Sequence, residues 1–163
     1  MDSAKRRGAF ELRNARFEDH AAIRCLLSED DLPAQDLSDK AFKHFVVCMV
    51  NDAVVSAVGL ERYGSSALVR SLAVSDRYRS LGIAAELLLR IEMCAQESGV
   101  TKLFALTTTA QRYLEGKGFV VIERSQVPEA IRASAQFSEL CPDSARCLVK
   151  PIDRYSSKNK GVA

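Results

Sequence analysis

The stretch Arg79-Ser80-Leu81-Gly82-Ile83-Ala84 decides how this chain is interpreted. It follows an apolar segment, residues 67–74, that predicts a strand, and it opens a helical pattern that ends near Ser98. The first turn of a helix leaves backbone N–H groups unpaired, and the helix dipole favours negative charge there. Gly82 and Ala84 are small enough for a bulky ligand to approach the backbone, and Arg79 adds a positive charge. The stretch therefore predicts a turn that binds a pyrophosphate.

Length and composition narrow the class of protein. The chain has 163 residues, 47% of them hydrophobic, which predicts a single domain over residues 1–163 with a core at about 10–150. A net charge of +2 argues against nucleic acid binding, which usually requires a concentrated basic face. The chain contains no run of 18 apolar residues, so we expect no membrane helix. The first ten residues, MDSAKRRGAF, lack the apolar region of a signal peptide. We expect a protein without membrane or nucleic acid partners, as a monomer or homodimer.

The number and placement of the cysteines indicate the cellular compartment. The five cysteines are odd in number, and three lie in apolar periodic segments, which favours a reduced, cytoplasmic protein over a disulfide scaffold.

The hydrophobic periodicity predicts an alternating order of elements. Strands are expected at 10–14, 44–50, 53–61, 67–74, 102–107, 119–124 and 146–150. Helices are expected from Asp19 to about Leu27, from the turn at residues 79–84 (the predicted phosphate turn) to about Ser98, from a cap at Thr108 or Thr109 to Glu115, and from Pro128 to about Phe137. The acidic segment 28–38 is expected to be a loop of a length that is often functional, and the polar tail after Pro151 is expected to fray.

This order resembles the GCN5-related N-acetyltransferase (GNAT) fold from about Phe10 to Lys150. The family signature, Arg/Gln-x-x-Gly-x-Gly/Ala, matches Arg79, Gly82 and Ala84, after a predicted strand and at the start of a helix. The resemblance implies an α/β fold with a mixed, mostly antiparallel sheet and helices on both faces. It also implies an enzyme that uses acetyl-CoA and no metal.

The resemblance assigns two groups of residues to acetyl-CoA. The backbone of Leu72, Ala73 and Val74 would pair with the pantetheine arm, and the N–H groups across Arg79, Ser80, Leu81, Gly82, Ile83 and Ala84 would hold the pyrophosphate. An ordinary loop-to-helix turn is the alternative interpretation of Gly82.

Further stretches narrow the resemblance. Leu72-Ala-Val74, Leu106-Thr-Thr-Thr109 and Gly118-Phe119 are similar to the acetyltransferase domain of N-acetylglutamate synthases. Residues 131–147 resemble the small acetyltransferases of arsenic-resistance operons (ArsN type), some of which acetylate the α-amino group of arsinothricin, a glutamate mimic. These resemblances imply a small glutamate-like amino acid as the acceptor.

Glu61 and Arg70 are the first candidate acceptor residues. If Gly64 and Ser65 form a two-residue turn, Glu61 and Arg70 become diagonal neighbours on one face of a hairpin, and Gly59 opposite Arg70 leaves open space for a ligand. Arg70 can then bind a substrate carboxylate, and Glu61 can accept the amine proton. The alternative is an ion pair that only orients the two strands.

Further candidates follow later in the chain. Thr107 ends a predicted strand and Thr108 follows it, at a place where hydroxyls can hold a substrate carboxylate or cap a helix. Arg132 is a candidate to bind the side chain of the acceptor, and the alternative is that it lies on a solvated helix face. The residues that align with the Phe-Tyr pair of many GNAT members are Tyr113, expected to point inward, and Leu114, which cannot protonate the leaving thiolate.

A non-enzyme hypothesis stays open beside the acetyltransferase. Cys141 and Cys147 can bridge a trivalent arsenical, which would make the chain an arsenic- or CoA-binding sensor of the same fold, although buried packing is the more common role of a free cysteine.

Overall fold

The computed structural model describes residues 10–152, so the N-terminal segment before Phe10 and the tail after Ile152 lie outside the described residues. The strands are β1 (Glu11–Asn14), β2 (Phe45–Val50), β3 (Ala53–Tyr63), β4 (Ser66–Val74), β5 (Lys102–Thr107), β6 (Val120–Ile122) and β7 (Arg146–Pro151). The helices are α1 (His20–Glu29), α2 (Ile83–Glu97), α3 (Gln111–Glu115) and α4 (Glu129–Arg132). The strands form a mixed seven-stranded sheet in the order β1-β2-β3-β4-β5-β7-β6, which confirms the predicted fold class.

The chain divides into two compact units. The first comprises the described residues up to Glu61 together with Val69–Ile91. Its β1 and β2 pair antiparallel, as do β2 and β3. Helix α1 places apolar residues at helical spacing, and Ile23, Leu26 and Leu27 pack with Phe45 and Val47 of β2 in one buried cluster. The first unit therefore has a core of its own.

The second unit comprises Arg62–Leu68 and the chain from Glu92. Strand β7 pairs antiparallel with both β5 and β6. Its core is a separate buried cluster of apolar residues from several elements, namely Leu68, Phe104, Val127, Ile131, Phe137 and Cys147.

Helix α2 begins and ends at glycines with positive φ. Gly82 has a φ of +82° before the first turn, and Gly99 has a φ of +85° after the last. The predicted apolar side of the helix is buried, as shown by Ile83, Leu87, Leu88, Ile91 and Ala95. The sequence pattern between the two glycines was therefore sufficient to predict this element.

Other predicted boundaries were wrong. The helix expected from Pro128 to Phe137 ends at Arg132, and a separate short π-helix covers Gln136–Leu140. The Ser134 hydroxyl donates to the Ile131 carbonyl at 2.6 Å, and such a local side-chain bond competes with helix continuation. The strand expected at 119–124 is limited to β6. None of the described helices is long and apolar enough to cross a membrane.

Candidate active site

The turn from Arg79 to Ala84 has the open geometry that an anion site requires. Ser80 and Gly82 both adopt positive φ, at +62° and +82°, which directs the backbone into the first turn of α2. A Cβ atom added at Gly82 would meet nothing within 4 Å. A pyrophosphate therefore has room to reach the N–H groups of the first helical turn, which lack partners within the helix.

Arg79 forms ion pairs with two carboxylates beside this turn. Its Nη2 atom lies 2.6 Å from Asp30 Oδ1 and 3.0 Å from Asp76 Oδ1, and its Nε donates to the Val74 carbonyl at 3.2 Å. The side chain is 52% exposed. A bound anion would therefore compete with two carboxylates for this guanidinium.

Strand β4 is irregular just before the segment assigned to pantetheine. Ser71 has a φ of +58°, which interrupts the alternation of β4 at a residue without the freedom of glycine. Beyond it, Ala73 is buried, while Leu72 and Val74 are partly exposed. The Ser56 hydroxyl donates to the Ala73 carbonyl at 2.7 Å. The assignment of Leu72, Ala73 and Val74 to the pantetheine arm stays a prediction.

Arg70 lies at the centre of a buried ionic cluster. Its Nη2 donates to Asp36 Oδ1 at 2.8 Å, its Nη1 bonds to Asp36 Oδ2, and the same Nη1 donates to Glu61 Oε1 at 2.5 Å. Nη2 also donates to the Pro33 carbonyl at 3.3 Å, and Nε donates to Ser71 Oγ at 3.0 Å. All three guanidinium nitrogens are therefore engaged within the first unit.

The charges of this cluster do not cancel. Two carboxylates surround one guanidinium, so Asp36, Glu61 and Arg70 together carry one net negative charge. Burial alone lowers the pKa of Arg70, but the hydrogen bonds to Asp36 and Glu61 outweigh it and raise that pKa above its ordinary value. The Arg70 side chain is 1% exposed, against 17% for Asp36 and 23% for Glu61. The carboxylates, not the guanidinium, are the parts that solvent reaches.

The hairpin carrying Glu61 was predicted correctly, but the space beside it was not. Gly64 and Ser65 form the turn between β3 and β4, and Glu61 bonds to Arg70 as diagonal neighbours can. The open space expected at Gly59 does not exist, since a Cβ atom there would lie 2.5 Å from the Phe45 ring. Gly59 admits an aromatic ring of the core, not a ligand.

The role of Arg70 as a carboxylate-binding residue stays a prediction. Because its nitrogens already bond to Asp36, Glu61, Pro33 and Ser71, a substrate carboxylate would have to displace one of these partners.

The threonine run lies in the second unit. The Thr107 hydroxyl accepts hydrogen bonds from the N–H groups of Thr109 and Ala110, at 3.2 and 2.8 Å. Thr107, and not Thr108 or Thr109, therefore shapes the turn that enters α3. Thr108 is exposed, as is Arg132 at the end of α4. Their assignment to substrate binding stays a prediction.

The inward orientation expected for Tyr113, the first residue at the Phe-Tyr position, is wrong. Leu114 is the inward residue, 6% exposed, whereas Tyr113 is 39% exposed with the Lys117 ammonium 5.5 Å from its ring centre. Tyr113 is therefore not a core residue, and partial burial raises the pKa of its hydroxyl.

The cysteines give no support to an arsenic site. Cys147 is buried, and desolvation raises the pKa of its thiol, which disfavours the thiolate that binds arsenic. Cys141 donates to Gln136 Oε1 at 3.6 Å. Within residues 10–152 no group of three or more His, Cys, Asp or Glu side chains is placed to hold a metal ion.

Asp36 is the site residue that sequence reasoning missed. It lies in the loop between α1 and β2, which the sequence marked only as acidic and of functional length. Nothing in the local pattern distinguishes Asp36 from Asp30, Asp31 or Asp39, because its partner Arg70 is distant in sequence.

Comparison with known proteins agrees with this architecture. The family model of the acetyltransferase (GNAT) domain matches residues 21–135. A search among curated proteins gave no match.

Several solved structures share the fold. N-acetylglutamate synthase from Neisseria gonorrhoeae, complexed with coenzyme A and N-acetyl-glutamate, superposes with a TM-score of 0.78 at 21% identity over 89% of this chain and 35% of that chain. The present chain thus spans about a third of that synthase. Rv2747 from Mycobacterium tuberculosis, in complex with CoA, gives a TM-score of 0.73 at 19% identity over 88% and 99% of the two chains. A GNAT-family acetyltransferase from Staphylococcus aureus Mu50 gives 0.71 at 17% identity over 89% and 100%.

Proposed function

Because this chain belongs to the acetyltransferase (GNAT) family, we propose that it transfers the acetyl group of acetyl-CoA to the α-amino group of a small, glutamate-like amino acid. The observation that carries the proposal is the open turn at Gly82, where positive φ and free space meet the first turn of α2. Such a turn suits the pyrophosphate of a CoA thioester.

The acetyl donor is held along two neighbouring segments of the first unit. The backbone of Leu72, Ala73 and Val74 pairs with the pantetheine arm, and the N–H groups from Arg79 to Ala84 receive the pyrophosphate. Backbone donors suit this role because they are fixed before the ligand arrives and need no rearrangement.

The reaction moves one acetyl group and two protons. Glu61, near the end of β3, accepts the first proton, which the ammonium group loses before attack, directly or through water. The neutral amine then attacks the thioester carbonyl, a C–N bond forms, and the C–S bond breaks to release the CoA thiolate. The second proton leaves the nitrogen as the tetrahedral intermediate collapses and passes through water to the released thiolate. Leu114 cannot protonate the thiolate, and the hydroxyl of Tyr113 is the remaining candidate of that pair for delivering a proton to it.

The acceptor class rests on resemblance. Fold similarity to a synthase bound to N-acetyl-glutamate supports a glutamate-like acceptor, and the likeness of residues 131–147 to ArsN-type enzymes supports arsinothricin and a role in arsenic resistance. Thr107, Thr108 and Arg132 of the second unit are the candidates for binding the acidic groups of such a substrate.

A thiol-release assay tests the proposal. Purified protein is supplied with acetyl-CoA and, in turn, with arsinothricin, phosphinothricin and L-glutamate, and free CoA thiol is measured. We expect turnover with at least one of the three, above the rate of acetyl-CoA hydrolysis without acceptor. Tight CoA binding by calorimetry without turnover of any of the three would overturn the proposed function.

A further inference from the structure

The loop that contributes Asp36 is held in place by contacts other than those of Asp36. Arg24 of α1 donates to the carbonyls of Ala34, at 3.2 Å, and Leu37, at 2.6 Å. The Arg24 guanidinium also lies 5.1 Å from the ring centre of Phe42. Because these bonds flank Asp36 on both sides, they position its backbone whether or not its carboxylate reaches Arg70.

Asp36 determines how Arg70 contacts Glu61. A guanidinium and a single carboxylate form a two-point contact through two parallel N–H···O bonds. In this cluster Asp36 takes that contact through Nη1 and Nη2, and Glu61 bonds to Nη1. Without Asp36, the two-point contact would become available to Glu61, whose charge would then be neutralised by a buried arginine of its own.

The shared nitrogen also limits how far apart the two carboxylates can lie. Oxygens of Asp36 and Glu61 both bond to Nη1, so they lie within a span that one ammonium nitrogen can bridge. The cluster retains one net negative charge, and its carboxylates are more exposed than its guanidinium. An ammonium group suits this arrangement, whereas another carboxylate would meet two like charges and an arginine whose nitrogens are engaged.

From these contacts we propose that Asp36 is a positioning residue for Glu61, acting through Arg70, and that the cluster recognises the acceptor by its ammonium group. The inference rests on the proposed function, and it assigns to Arg70 the orientation of two carboxylates in place of the binding of a third.

A double-mutant cycle tests the coupling. Wild type, Asp36→Asn, Glu61→Gln and the double variant are compared in kcat, acceptor KM and acetyl-CoA KM, with the acceptor that wild type turns over fastest among arsinothricin, phosphinothricin and L-glutamate. We expect Asp36→Asn to lower kcat about tenfold and Glu61→Gln to lower it more, in the roughly 10²–10⁴-fold range of general-base loss. The double variant should match Glu61→Gln within about twofold, because the effect of Asp36 passes through Glu61.

Controls separate a specific role from a structural one. Asp39→Asn makes the same substitution in the same loop, at a carboxylate that is 76% exposed and paired with His20, and should leave kcat unchanged. Asp36→Glu restores a carboxylate and should recover part of the rate. Acetyl-CoA KM should stay within about twofold of the wild-type value in all variants.

The outcomes distinguish the inference from the function on which it rests. Multiplicative losses in the double variant, or a kcat of Asp36→Asn equal to wild type, would overturn the role of Asp36 while acetyl transfer stands. A wild-type protein that binds CoA but turns over none of the three acceptors would overturn both.

Discussion

The phosphate turn and the Asp36–Arg70–Glu61 cluster are built in opposite ways. The turn consists of consecutive residues, it is open around Gly82, and its proposed ligand would bind to backbone N–H groups. The cluster brings together side chains from a loop and two strands around a guanidinium that is 1% exposed. The turn is thus defined by backbone shape and free space, and the cluster by charge and burial. Substitutions that change bulk should damage the first, and substitutions that change charge should damage the second.

The largest effect is expected from Glu61→Gln, which removes a charge from the cluster and preserves its shape. We expect kcat to fall about 10²–10⁴-fold with CoA affinity intact, since the proton acceptor is lost while the turn is unchanged. The defect should shrink as pH rises, because the free amine becomes more common. A uniform loss at every pH would assign Glu61 to substrate positioning instead of proton transfer.

The next effect concerns the turn. Gly82→Asp introduces a side chain and a negative charge where the pyrophosphate would lie, at a φ of +82° that non-glycine residues rarely adopt. We expect CoA affinity, measured by calorimetry, to fall on the order of 100-fold, a loss of roughly 2.7 kcal/mol. Gly99→Asp is the matched control, because Gly99 ends the same helix at a φ of +85° with equal free space. Equal CoA affinity in the two variants would remove the turn from the binding site.

Arg70→Lys tests the two interpretations of the arginine. It keeps the charge but loses the planar group that bonds to Asp36 and Glu61 together. We expect kcat/KM for the acceptor to fall about tenfold and the melting temperature to fall, with CoA affinity unchanged. The loss should be the same for L-glutamate and its α-amide. A defect confined to L-glutamate would show that Arg70 binds the α-carboxylate.

The smallest effect on activity is expected at Gly59. Gly59→Ala places a Cβ atom against the Phe45 ring, and overpacking of this kind costs about 1–3 kcal/mol of unfolding free energy. We expect a melting temperature lower by about 2–4 °C per kcal/mol, with kcat and CoA affinity close to wild type. Gly116→Ala is the control, because a Cβ atom added at Gly116 would lie no closer than 3.4 Å to another atom, the Tyr113 carbonyl oxygen. A variant as stable as wild type would show that the ring relaxes without cost.

Local features were predictable from the sequence. The bounds of β5, the turn at Gly64 and Ser65 and the buried side of α2 follow from periodicity and turn residues. The open turn from Arg79 to Ala84 was predictable because a glycine, a preceding strand and a helix start are adjacent in the chain. Its binding of a pyrophosphate stays a prediction.

Long-range features were not predictable. The backbone position of Asp36 depends on the bonds from Arg24 to the carbonyls of Ala34 and Leu37, and no local pattern encodes them. Its carboxylate pairs with Arg70, which is distant in sequence. The irregularity at Ser71 places a serine at a positive φ where glycine would have given a signal. The early end of α4 follows from a serine hydroxyl that competes for a backbone carbonyl.

The ion pair between Arg79 and Asp30 joins the phosphate turn to the segment that also carries Asp36. If the pyrophosphate of the donor replaces Asp30 as the partner of Arg79, donor binding breaks one ion pair of that segment. Thermodynamic linkage makes this relation reciprocal. If donor binding weakens the Arg79–Asp30 ion pair by a given factor, formation of the ion pair weakens donor binding by the same factor. In that case the Arg79–Asp30 ion pair would couple the affinities of the two substrates, although they share no contact.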